Sequence, residues 1–290
     1  MFMSPVDQTP GRPVGGERRI ARRVSAVPAS DGAGVRLNRV IGTAEISEVD
    51  PFLMLDELRT ADPAAYAGGF PEHPHRGFET VTYMLAGHLR HRDSHGHEGL
   101  LQAGDAQWMT AGRGIVHSET PEQKEGLLHG FQLWLNLPAA EKMIEPVWRD
   151  IPAIDIPAVI FKAAEVRVLA GRYHGLKGPI ASPTTQPFIA DVLLKPEAEV
   201  TLPIPEDHQG FVYVFEGGIA VGQALINPGQ AGVLDMGGAN VTLTAGATPG
   251  RALVVTGRPL NEPVVRHGAF VMNTEDEIRQ AFTDYQAGLF

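Results

Sequence analysis

The sequence predicts an all-β protein of sandwich or barrel architecture. Three observations predict it. Short runs with β-branched or alternating character recur along the chain, among them GVRLNRVIG, TVTYMLAG, HGFQLWLNL, VRVLAG, FVYVFEGG and NVTLTAG. The chain holds 33 glycines and 23 prolines, spread throughout, which supply turns between such runs. Helical periodicity is confined to a few places.

Composition narrows the function classes. The 290 residues suit one or two domains, and 43% hydrophobic with 20% charged residues is an ordinary globular balance. The formal charge of −10 lacks the basic footprint of a nucleic-acid binder. The absence of cysteine excludes disulfides, thiolate ligands and a cysteine nucleophile, so any transition-metal site must use His, Asp or Glu. No apolar run reaches the 18 residues of a membrane span. Arg12, Arg18, Arg19, Arg22 and Arg23 precede no apolar h-region, so the N-terminus reads as a loose segment leading into a first strand. A cytoplasmic location is the expectation.

Taken in order, GVRLNRVIG and PFLMLDELR read as early strands, with Asp56 and Glu57 given a structural role. The stretch PEHPHRGFETVTYMLAG places His73 and His75 two residues apart ahead of an apolar run. On an extended segment both imidazoles share a face. Pro74 between them lacks an N–H, which puts this piece at a strand start or edge. The segment GHLRHRDSHGHEG follows, and His88, His91, His95 and His97 are read as solvated or hydrogen-bonded, with one a candidate partner of a metal-bound histidine.

In TAGRGIVHSETP, His117 and Glu119 repeat the two-residue spacing 44 residues after His73. Gly112 and Gly114 fit a tight turn, since their spacing matches neither a dinucleotide nor a P-loop fingerprint. His129 reads as a packed histidine. In GFQLWLNL, Phe131, Leu133, Leu135 and Leu137 share one parity and Gln132, Trp134 and Asn136 the other, the pattern of a half-buried strand. LPAAEKMIEP is expected to give one or two helical turns. EPVWRDIPAIDIPAVI, with Pro146, Pro152 and Pro157, reads as a linker.

The second half repeats the first weakly. Turns at Gly87 and Gly104 have counterparts at Gly217 and Gly229, which suggests two copies of one β unit, residues 1–150 and 151–290. At the end, Thr274 and Glu277 form a capping box, followed by Ile278, Phe282, Tyr285 and Leu289 at helical spacing.

Two such pairs on neighbouring strands would gather His73, His75, His117 and Glu119 around a point. This arrangement resembles the cupin pattern, in which H-x-H-x(3–4)-E-x6-G precedes a glycine-rich motif ending in a metal-binding histidine. Counting back from Gly87, the usual carboxylate position falls on Thr80, leaving Glu79 one residue out of register. The vacant place falls to Glu119. That departure, together with HPHRGFET, DAQWMTAGRGIVHSE, DPFLMLDE, QLWLNLP and MNTEDEI, is similar to the pirin family over about Arg19 to Phe290.

The resemblance implies a bicupin with a short C-terminal helix, an N-terminal metal-binding barrel over 1–150 and a metal-free barrel over 151–290. His174, His208 and His267 in the second half lie far apart, without an H-x-H. It implies Fe(II) on His73, His75, His117 and Glu119; the same donors also suit Mn, Ni, Cu or Zn. The implied activity is cleavage of flavonols such as quercetin with O₂, with Glu119 as general base. The alternative is an iron-dependent regulatory protein acting on a protein partner. Neither reading involves direct nucleic-acid or membrane binding.

Overall fold

The computed structural model describes residues 16–290; Arg12 and the loose terminus expected around it lie outside the described residues. The fold is all-β with one α-helix among the described residues, Glu275–Gln286. No described helix is long and apolar enough to cross a membrane.

The chain packs as two compact units, each discontinuous in sequence. One unit comprises Val27–Ala153 with Leu260–Phe290; the other takes the chain up to Ala26 with Ile154–Pro259. A single cut at residue 150 therefore separates most strands but not the terminal segments. The last 31 residues, Leu260–Phe290, complete the unit made by the first half.

In the Val27–Ala153 unit a seven-stranded antiparallel sheet faces a four-stranded one. The larger runs Val147–Ile151, Ala106–Thr110, Phe78–Ala86, Leu128–Asn136, Phe52–Thr60, Val35–Ile41, Val27–Asp31. The smaller runs Phe70–His75, Ile115–Pro121, Leu89–Asp93, Glu98–Leu101. The other unit repeats the seven-plus-four arrangement, from Ile20–Ser25 to Ala158–Ile160 and from Glu199–Pro203 to Ala224–Ile226. Its interior is a continuous apolar cluster that includes Val166, Val192, Val212, Leu243 and Val254. The four glycines of the weak repeat all sit at positive φ: Gly87 at 87°, Gly104 at 92°, Gly217 at 60° and Gly229 at 79°. Only glycine takes these turn conformations at little cost.

Two expected elements differ. Leu128–Asn136 is buried at both parities except for the half-buried Gln132, and its polar parity turns Gln132 and Trp134 toward a cavity. The expected linker contains the strand Val147–Ile151, paired with Ala106–Thr110 from Val147↔Thr110 to Ile151↔Ala106. The helix carries its capping box: Glu277 N–H donates to Thr274 Oγ1 at 3.3 Å, and Thr274 N–H to Glu277 Oε2 at 2.8 Å. Ile278 and Ala281 are buried against Phe270 and Met272, while Leu289 lies beyond the helix and is exposed. Met143 follows one short 3-10 turn, Ala139–Glu141, in the stretch expected to be helical.

Candidate metal centre and cavity

Phe70–His75 is an edge strand of the smaller sheet, as Pro74 requires. It pairs with Ile115–Pro121 so that His73 stands opposite His117 and His75 opposite Ile115. The register shifts between His117 and Glu119, which sets Glu119 opposite Phe70.

This register brings three imidazoles to one point. His73 Nε2 lies 3.0 Å from His75 Nε2 and 3.0 Å from His117 Nε2. His73 Nδ1–H donates to the Pro71 carbonyl at 2.8 Å, which leaves the Nε2 lone pair for the cluster. His75 and His117 are buried and His73 half-buried. Burial lowers all three below the ordinary histidine pKa, His75 and His117 well below it, so the rings are held neutral. Neutral imidazoles with converging lone pairs repel unless a cation or proton sits among them. Donors about 2.1 Å from a common ion and at right angles to each other are about 3.0 Å apart. The spacing of His73 to each neighbour fits that edge.

Glu119 is buried beside His117 and His91, and these three offer donor atoms within 4.8 Å of one another. Thr82 Oγ1 and Gln132 Nε2 each approach a different Glu119 oxygen at 3.4 Å. Burial pushes the Glu119 carboxyl up to about 7, and these two weak contacts pull against it. Glu79 sits elsewhere, accepting from Thr110 Oγ1 at 2.8 Å. Thr82 and Glu79 have opposite parity on one strand, which is why one approaches Glu119 and the other does not.

Of the histidines after Gly87, His91 matters most. Its Nδ1 is 3.4 Å from His117 Nδ1, and its Nε2 is 3.5 Å from Asp93 Oδ2, which also meets exposed His97 Nδ1 at 2.8 Å. Trp148 stacks near both rings, 5.5 Å from His91 and 5.2 Å from His97. His129 is packed as expected, its Nε2 3.0 Å from Glu57 Oε1. Gly112 and Gly114 form the turn before Ile115–Pro121. In the other unit His208 is buried, its Nδ1 3.2 Å from Thr256 Oγ1.

A cavity of about 590 Å³ opens onto this centre. Its wall holds His73, Glu119, Thr82 and Gln132 together with apolar side chains such as Leu37, Met54, Phe131 and Trp134. Arg39 at the wall is bound bidentately by Asp56, at 2.8 and 2.7 Å, and by Asp31 at 3.0 Å. Arg266, Gly268 and Ala269 also line it, from the hairpin Val265–His267/Phe270–Met272. Of the four histidines after Gly87, one was expected to partner a metal-bound histidine, and His91 takes that place beside His117. Gln132, Trp134 and Arg266 were not foreseen as site residues, although Gln132 and Trp134 share one parity of their strand.

A family model described as Pirin matches residues 34–135, and one described as Pirin C-terminal cupin domain matches residues 189–290. A Pseudomonas aeruginosa protein, named provisionally as a quercetin 2,3-dioxygenase, is 46% identical over 271 residues, 90% of this chain and 94% of its own. A pirin-like protein of Caulobacter vibrioides is 43% identical over 275 residues, 94% of this chain and 99% of its own. The crystal structure of a quercetin 2,3-dioxygenase from Acinetobacter baumannii is similar with a TM-score of 0.88 at 33% identity, over 95% of this chain and 99% of that one. Both halves match the two family models and the relatives align over nearly their whole length, so the chain belongs to the pirin family.

Proposed function

We propose that the protein is a metal-dependent dioxygenase that cleaves flavonols such as quercetin with O₂, using Fe(II) at His73, His75 and His117 with Glu119 as the fourth donor. The observation that carries this reading is the convergence of three neutral imidazole nitrogens, two contacts at 3.0 Å, beside a buried carboxylate on an apolar cavity. Similarity to proteins named as quercetin 2,3-dioxygenases supports the substrate class.

When bound, the ion would supply a positive charge that lowers the pKa of a flavonol hydroxyl and open positions for ligands. The rest falls to the protein. Apolar wall side chains such as Leu37, Met54 and Leu128 pack the flat rings and displace water around them. Glu119, a buried carboxylate on the cavity wall, accepts the hydroxyl proton. Thr82 and Gln132, bonded to each other, lie 3.4 Å from its two oxygens and orient them weakly. The deprotonated flavonol is the electron-rich form that reacts with O₂.

The test is O₂ uptake by anaerobically purified protein loaded in turn with Fe(II), Mn(II), Ni(II) or Cu(II), with quercetin as substrate. Uptake coupled to loss of quercetin absorbance is the expected result. No uptake with any of the four would replace this reading with that of a metal-dependent regulatory protein, for which a pull-down from the source cell is the assay.

A further inference from the structure

Two arginines line the cavity, and they are not equivalent. Arg39 is saturated by Asp56 and Asp31, so its charge is spent within the wall. Arg266 is not. Its Nε donates to the Gly268 carbonyl at 3.2 Å and one terminal nitrogen points at Met54 Sδ at 3.8 Å. Its guanidinium carbon lies 4.7 Å from the centre of the Trp134 ring. Among the described residues no carboxylate lies within ion-pair distance of it. The acids whose field reaches it are Asp56 and Asp31, both bound to Arg39, and Glu48, which makes no ion pair with it.

A guanidinium carries five N–H donors in a planar fork suited to carboxylates. Arg266 is exposed at the rim of the cavity, so its remaining donors meet solvent there and are available to an anion. Its placement is firm. Its hairpin is tied to the metal-centre strand, with Val271 N–H donating to the Arg76 carbonyl at 3.0 Å and Arg76 N–H to the Ala269 carbonyl at 3.2 Å. Trp134 joins the two ends of the site, since its ring is also 5.4 Å from that of His75. The faces of Trp134 are covered by Phe78, 4.3 Å away between ring centres, and by the Arg266 guanidinium, so a ligand in the cavity would lie beside Trp134, between the His73 end and the guanidinium.

We propose that Arg266 forms an anion subsite in this cavity and that the ligand it selects is a planar aromatic molecule bearing a carboxylate. The inference rests on the cavity being a substrate site, but not on the reaction performed there. It adds planar aromatic acids to the ligands this cavity accepts and leaves the flavonol reading in place.

The test is calorimetric titration of the full-length protein, as purified and again after chelation, with 4-hydroxybenzoate and its neutral amide, 4-hydroxybenzamide. The parent should bind the acid at least tenfold more tightly than the amide, before and after chelation. Arg266→Gln should remove that preference while holding the amide within about twofold, and Arg266→Lys should keep part of it. Equal affinities in the parent, or an undiminished preference in Arg266→Gln, would overturn the subsite. A preference that disappears on chelation would overturn it too, by assigning the carboxylate to the metal. None of these outcomes depends on O₂ chemistry, so the dioxygenase reading stands or falls separately.

Discussion

At the scale of single residues, the centre depends on lone pairs that are expensive to bury and cannot be moved. His75→Ala removes one corner of the triangle and leaves His73 and His117 a donor short. It is expected to abolish metal retention and activity together, read by metal analysis of dialysed protein. Glu119→Gln should behave differently. It keeps one oxygen but loses charge and most basicity, so weaker metal binding and a fall in flavonol turnover on the order of 10²-fold or more are expected at matched occupancy. Turnover at the parent rate would remove Glu119 from the role of base. The paired spacing of His73 with His75 and of His117 with Glu119 was legible in the chain, because an extended backbone makes alternate residues share a face. The register shift between His117 and Glu119 was not, since it depends on how the partner strand pairs. A second titratable residue lies in the other unit. Burial lowers His208 to about 4. The unfolded chain takes up this proton near the ordinary value of about 6.5, the folded chain only near 4. Its contribution to stability is thus complete above pH 6.5 and lost as the pH falls toward 4. The loss should be on the order of 2 kcal/mol, and His208→Gln should flatten the melting temperature over that window in calorimetry.

At the scale of elements, the junction beneath the metal centre is stapled by one lysine. Lys142 is buried, and its ammonium donates to the Gly77 carbonyl at 2.7 Å, Asn136 Oδ1 at 2.7 Å and the Val271 carbonyl at 3.0 Å. Desolvation lowers it to about 8. Gly77 permits the approach: at φ 87° a Cβ there would come 2.0 Å from the Val271 carbonyl oxygen. Lys142→Met would leave three buried acceptors without that donor. It is expected to cost about 2–4 kcal/mol, seen as a lower midpoint in urea with an unchanged slope. An unchanged midpoint would mean that water replaces the ammonium. Sequence patterning located most strands because alternation and glycine turns are local properties. It misjudged Leu128–Asn136, where burial of the polar parity depends on neighbours far off in sequence. It also missed Val147–Ile151, whose flanking prolines read as a linker although neither lies inside the paired segment.

At the scale of the molecule, each barrel has an apolar core that does not require a metal. Chelation is therefore expected to lower the melting temperature by a few degrees without loss of the β-sheet circular dichroism signal, because a ligand adds only RT ln(1 + [L]/Kd) to stability. Protein that is unfolded by chelator would contradict this. The weak repeat and the family motifs made two barrels legible, but not the exchange of terminal segments. That arises because Phe270 and Met272 pack with the C-terminal helix while Val271 packs against Phe78 and Trp134. A fragment ending at residue 150 is accordingly expected to be unstable and to lack the Arg266 side of the cavity. A soluble, cooperatively melting fragment would show that the hairpin is dispensable.

That exchange has a consequence for synthesis. Chains emerge from the ribosome at roughly 5–20 residues per second, so the strands carrying His73, His75 and His117 are made well before the hairpin that completes their unit. For several seconds or more the nascent chain would expose Phe78 and Trp134 without Val271, while the strands of the intervening unit are still appearing. The unit that carries the histidine cluster, most of it translated early, is therefore the last to close. The other unit has all its strands once Pro259 is made, whereas this one waits for residues 260–290, and that interval is when a chaperone or an early-arriving ion would have the most influence.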